Sequence, residues 1–210
     1  MKLALFDVDY TLTSKESLIY FFRYLLRKRP SLYFHVPKAL LSGVLFKMGV
    51  NKEKKTKELF LSFMVNMPLN TLNELTDDFI ENEFPKIIYQ DGVNKIKELK
   101  EMGYTVVLTS ASPEFYILKL KDVFGADYVM GTKFEEKDEL FTGKMFGENN
   151  KGEEKVVRLL KIFEGISIDF ENSYMFSDSM SDDPLLKLVG HPYLINYKKN
   201  NPKYPVLNWR

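Results

Sequence analysis

Four short runs of core-type side chains recur along the chain, and the rest has to fold around the sheet they imply. KLALF (2–6), YTVVLTS (104–110), DYVMG (127–131) and SYMFS (173–177) are short and almost continuously apolar. That is the pattern of strands covered on both faces, as in a parallel sheet. Between them lie helical patterns, GVNKIKELKEMG (92–103) with Ile96, Leu99 and Met102 on one stripe, PEFYILKLKDVFG (113–125) and GEEKVVRLLKIFEG (152–165). Strands alternating with helices predict an α/β fold, a doubly wound parallel sheet.

One stretch breaks the rhythm. From Ser14 to Tyr89 the sequence offers helical patterns without a convincing strand, punctuated by Pro30, Pro37, Gly49 and Pro68. The expectation is an all-helical cap over 14–89 inserted into a core built from 1–13 and 90–210. With 210 residues at 45% hydrophobic composition, the chain is large enough for both. Residues 132–147, TKFEEKDELFTGKMFG, alternate as a hairpin.

The charge balance narrows the partners. Thirty basic residues against 29 acidic ones leave +1, so no overall field draws the chain to nucleic acid. The chain has no cysteine, which suits a reducing, cytoplasmic setting and excludes thiolate chemistry. LALF is too short for the apolar region of a signal peptide, and no run reaches the roughly 18 apolar residues of a membrane span.

Acidic residues mark the ends of two strands. Asp7 and Asp9 follow LALF, and Asp178, Asp182 and Asp183 follow the run 173–176. In an open α/β sheet, ligands bind beyond the carboxyl ends of the strands. Carboxylates gathered there repel one another unless a hard cation such as Mg²⁺ joins them. Asp183, ahead of Pro184, is read as a helix N-terminal acid and Asp182 as part of the site. The strand 104–110 ends on Ser110, whose hydroxyl can meet an anion, while Ser112 before Pro113 is read as a helix cap. Lys151 and Lys155 open the helix that leads to Asp178. His35 and His191 are read as structural.

DVDYT, Ser110 in VVLTSASP, the lysine of NNKGEEKV and SDSMSDDPLL resemble, in order and spacing, the four motifs of the haloacid dehalogenase superfamily of phosphohydrolases. The insertion after the first strand is similar to the helical cap of its phosphoserine-phosphatase-like branch. The resemblance implies that Asp7 is a nucleophile forming an aspartyl-phosphate and Asp9 the general acid/base. It implies Mg²⁺ on the side chains of Asp7 and Asp178 and the backbone carbonyl of Asp9, with Asp182 reaching the metal through water. Thr11, Ser110 and a lysine would hold phosphate. GEEKV favours Lys155 for that lysine, with Lys151 as the alternative.

The substrate implied is a small or amphipathic phosphate ester. Glu16 stands where phosphoserine phosphatases carry the glutamate that reads the substrate amino group. Phe60, in FLSFMVNMP (60–68), stands where they carry an arginine for its carboxylate, which argues against phosphoserine. Tyr10 is bulkier than the small residue usual after the second aspartate and is expected at the mouth of the site. The cap is also basic: Arg23, Arg27, Lys28, Arg29, Lys38, Lys47, Lys52, Lys54 and Lys55 flank LYFHVPKALLSGVLFKM, with Glu53 the single acid between Arg23 and Lys55. Such a stretch either packs its apolar face into the cap, leaving its charges solvated, or lies on anionic lipid. The resemblance extends to phosphatidylglycerophosphate phosphatases, making a lipid phosphate the runner-up. A phosphotransferase would use the same aspartyl-phosphate, and a silent, membrane-peripheral binding module would show a damaged motif, which this sequence does not.

Overall fold

The computed structural model describes residues 1–49, 52–200 and 202–210, without the side chains of residues 39, 46 and 47. Lys47, counted in the basic stretch, therefore has its side chain outside the described residues. In chain order the elements are β1 (Leu3–Asp7), α1 (Ser17–Lys28), α2 (Val36–Lys47), α3 (Glu53–Phe60), β2 (Met67–Pro68), α4 (Leu69–Asn82), α5 (Gln90–Glu101) and β3 (Thr105–Pro113). The chain continues through α6 (Glu114–Ile117), α7 (Leu120–Phe124), β4 (Tyr128–Thr132), β5 (Phe134–Lys137), β6 (Leu140–Met145), α8 (Glu153–Ile162), β7 (Tyr174–Ser177), α9 (Asp183–Leu188), β8 (His191–Ile195) and β9 (Val206–Leu207).

The main sheet runs β4-β3-β1-β7-β8-β9, and every neighbouring pair is parallel. β1 lies inside it with all five residues buried, as its unbroken apolar run dictates. Register then fixes the site: Asp7 is level with Thr109 and Phe6 with Phe176, so Asp7, Ser110 and Asp178 emerge together at the carboxyl edge. The Phe6 and Phe176 rings stack at 4.7 Å one residue beneath that edge.

Three features depart from the sequence expectations. The stretch 14–89 does contain a strand, the two-residue β2, which pairs antiparallel with β6 and extends the expected hairpin β5–β6 into a three-stranded sheet. Two residues are too few to show a period. The single helix expected over 113–125 is two short ones, α6 and α7, and the second closes on Gly125 at φ 60°, a left-handed conformation that glycine adopts freely. The main sheet also gains β8 and β9 from a C-terminal stretch that the strand reading left out.

The helices of 14–89 pack on the core through aromatic rings. Phe21 of α1 stacks near Tyr116 of α6 at 5.7 Å and meets Phe79 of α4 edge-on at 5.0 Å. Farther along, packing stops short: Leu32 is buried, but Phe34 is 89% exposed and Leu40, Leu41, Val44 and Met48 are exposed too. The apolar face of this stretch is thus not absorbed by the protein's own interior. Part of its charge is paired at the surface: Arg27 with Glu83 at 2.9 Å and Lys28 with Asp78 at 2.6 Å.

Candidate active site

The centre of the site is Lys155. Gly152, at φ 58°, turns the chain into α8, and Lys155 on its first turn points back at the end of β1. Its Nζ donates to Asp7 Oδ1 and to Asp182 Oδ2, at 2.7 Å each, with Lys155 and Asp182 both 2% exposed. Burial pulls the lysine's pKa down, but Asp182 and Asp7 outweigh it and hold the ammonium above its ordinary range. Lys151 lines the same cleft but is exposed and paired with Glu53, with no hydrogen bond to Asp7 among those of its side chain.

Asp7 is held well above the usual carboxylate range by burial, with Lys155 opposing and the charges of Asp182 and Asp178 adding to the rise. Asp178 is pushed up to about 6, first by burial and then by Asp182. Asp182 accepts a second hydrogen bond, from Ser177 Oγ at 2.9 Å, and its Oδ1 is buried with no partner. Thr11, expected to hold phosphate, is fully buried; its hydroxyl donates to Asp7 Oδ2 at 3.4 Å and accepts from the Asp178 N–H at 2.8 Å. It ties the two acidic loops together instead of facing the cleft.

Asp9 is anchored from three directions. The Ser17 N–H, opening α1, donates to Oδ1 at 2.6 Å, and Ser112 Oγ and Ser110 Oγ donate to Oδ2 at 2.7 and 3.3 Å. Ser112 is therefore not the helix cap expected of it; Pro113 occupies the N-cap position of α6, and the Ser112 side chain orients an acid. Tyr10 is half exposed at the mouth and adopts φ 60°, which explains why a small residue is the easier choice there. Glu16 lines the same cleft, raised by burial and by Asp9. Phe60 lies apart from the carboxylates, packed on Phe22 at 5.2 Å.

Sequence reasoning missed Lys57. It hides in a run of surface-type lysines, yet it lines the cleft, donating to the carbonyl of Ala111 and to Asn149 Oδ1. Burial lowers its pKa to about 8 against the pull of Glu53, Asp9 and Glu16. The one available signal was its place a single helical turn before Phe60.

Among the described residues no group of three or more His, Cys, Asp or Glu side chains is arranged to hold a metal ion. The donor set nevertheless fits Mg²⁺, which is held by one or two carboxylates with water and phosphate completing its shell. Asp7 and Asp178 line one cleft, Asp182 raises the proton affinity of both and Asp178 raises that of Asp7, and the buried Asp182 Oδ1 lacks a donor.

The family model for haloacid dehalogenase-like hydrolases matches residues 4–187. Phosphoserine phosphatase SerB1 of Mycobacterium tuberculosis is 29% identical over 92% of this chain, which spans 64% of that relative's length. A crystal structure of a protein of unknown function from Bordetella pertussis Tohama I superposes with a TM-score of 0.79 at 22% identity, covering 98% of this chain and 97% of the other. A phosphoserine phosphatase carrying a phospho-aspartyl intermediate analogue superposes with a TM-score of 0.60 at 25% identity, covering 94% and 87%.

Proposed function

The chain belongs to the haloacid dehalogenase-like hydrolases, and from that premise we propose that it hydrolyses phosphate monoesters through a phosphoryl group carried on Asp7. The observation that supports this most is the Lys155 ammonium bonded to Asp7 Oδ1 at the end of β1. A carboxylate so placed attacks phosphorus in line: the Asp7 oxygen–phosphorus bond forms as the ester oxygen leaves. Asp9 gives the leaving alkoxide its proton, then takes one from the water that attacks phosphorus, releasing phosphate and restoring Asp7. Ser112, Ser110 and the Ser17 N–H keep Asp9 aimed through both steps.

Lys155 favours the ionised form of Asp7 against its burial and faces the phosphoryl oxygens as their charge develops. The side chains of Asp7 and Asp178 and the carbonyl oxygen of Asp9 would hold Mg²⁺, which when bound supplies further positive charge against those oxygens. Residues 14–89 act as the cap, and α1 joins it to the chemistry through the Ser17–Asp9 hydrogen bond.

Phosphoserine is a second reading of the substrate, favoured by Lys57. It supplies a cation in the cleft one turn before Phe60, with Glu16 as the acid for an amino group. The test is hydrolysis of an aryl phosphate by the purified protein, abolished by chelation and by Asp7→Asn. Turnover that survives Asp7→Asn removes the proposal.

A further inference from the structure

A second cavity adjoins the acidic cleft. It measures about 590 Å³ and shares Glu16, Leu18, Glu53 and Lys57 with the cleft. Past that junction its wall is mainly Ile19, Phe22, Leu40 and Phe60, with Ser42 and Thr56 the polar side chains and Arg23 the one further charged side chain among its described lining residues. The walls come from α1, α2 and α3, all within 14–89. Leu40 also belongs to the exposed apolar face with Phe34, Leu41, Val44 and Met48, so the cavity connects the catalytic edge to an apolar exterior.

We propose that this cavity takes the apolar part of the substrate, so that the preferred esters are phosphate monoesters with an extended hydrocarbon leaving group. The inference rests on the phosphatase reading and adds the substrate class. Three observations carry it. The volume falls within the roughly 300–1,000 Å³ of small-molecule sites and far exceeds what a serine moiety fills. Three of the four charged side chains among the described lining residues, Glu16, Glu53 and Lys57, sit at the junction, where a phosphate ester changes from polar to apolar. A zwitterionic leaving group pushed beyond the junction would lose its water against Ile19, Phe22 and Phe60, with only Arg23, Ser42 and Thr56 as polar partners among the described lining residues. A hydrocarbon instead gains by leaving water.

The experiment compares kcat/KM for ethyl, butyl, hexyl, octyl and decyl phosphate below their aggregation concentrations, beside phosphoserine. The expected result is a rise of up to about fourfold per methylene until the cavity is filled, with octyl phosphate well above phosphoserine. Phe60→Arg and, at an exposed position that folding tolerates, Leu40→Asp should each flatten that rise. A series that is flat from ethyl to decyl, or phosphoserine ranked first, overturns the proposal. Calorimetric binding of the matching alkylphosphonates reads the cavity without turnover. If no ester is hydrolysed, the phosphatase reading fails, and affinity that still climbs with chain length keeps the cavity assignment. Turnover of dissolved decyl phosphate identifies a free ester as the source of the ligand; turnover confined to phosphatidate in vesicles identifies a membrane lipid. Either outcome supports the class.

Discussion

Asp7 and Lys155, 148 positions apart in sequence, meet through a 2.7 Å hydrogen bond between Nζ and Oδ1 inside the protein. The same ammonium holds Asp182, so one buried cation serves two buried acids. Removing it leaves both uncompensated in a low-dielectric setting. Lys155→Met is expected to cost about 3–5 kcal/mol of stability, measured by urea denaturation, and to abolish phosphate ester turnover. Unchanged stability would mean that this cation does not balance those acids.

Ser112 donates to Asp9 Oδ2 at 2.7 Å, while the Ser17 N–H donates to the other carboxylate oxygen, Oδ1. Ser112→Ala removes one of three donors without moving Asp7. The expected result is a fall in kcat of about tenfold with KM nearly unchanged, since an aimed acid acts in the transition state and not in ground-state binding. A rise in KM at constant kcat would make Ser112 a substrate contact instead.

Lys57 gives up its proton near pH 8 in the folded protein, against 10.5 for an ordinary lysine, because of burial. The folded-state pKa is depressed, so unfolding takes up a proton between those values. The lysine's contribution to stability therefore improves as pH rises from about 8 towards 10.5. In function the sign is opposite, because above pH 8 the cleft loses a cation. KM for an anionic ester should rise through pH 8 in the wild type and lose that inflection in Lys57→Met; a profile identical in both proteins would contradict this.

How much of this was legible in the sequence follows from what each pattern encodes. β1 announced itself because a strand buried on both faces must be continuously apolar, and Asp7 and Asp178 stood out because charges rarely end such runs. The alternation of strands and helices pointed to a parallel sheet around them, but the strand order that makes β1 and β7 neighbours is a matter of tertiary pairing. Ser112 was misread because a serine before a proline looks the same whether its hydroxyl caps a helix or reaches an acid 103 positions away. Lys57 was invisible because a lysine among lysines carries no mark of burial. β2 was too short for any period, and the cavity between α1, α2 and α3 is a property of packing that no run of letters displays.

Magnesium should stabilise the protein before any substrate is present. By mass action, saturation to 100 times Kd adds about 2.7 kcal/mol to unfolding. A thermal shift on adding Mg²⁺, lost in Asp178→Asn, is the expected result. A shift of equal size in the variant would place the ion elsewhere.

The central claim is that Asp7 carries the phosphoryl group, and chemical trapping tests it most directly. Acid quenching during turnover of a phosphate ester, followed by borohydride reduction and peptide mapping, converts a phosphorylated aspartate into homoserine. Homoserine at position 7, absent when substrate is omitted, is the expected result. Continued turnover with Asp7 intact, or homoserine at any other acid, would contradict the account.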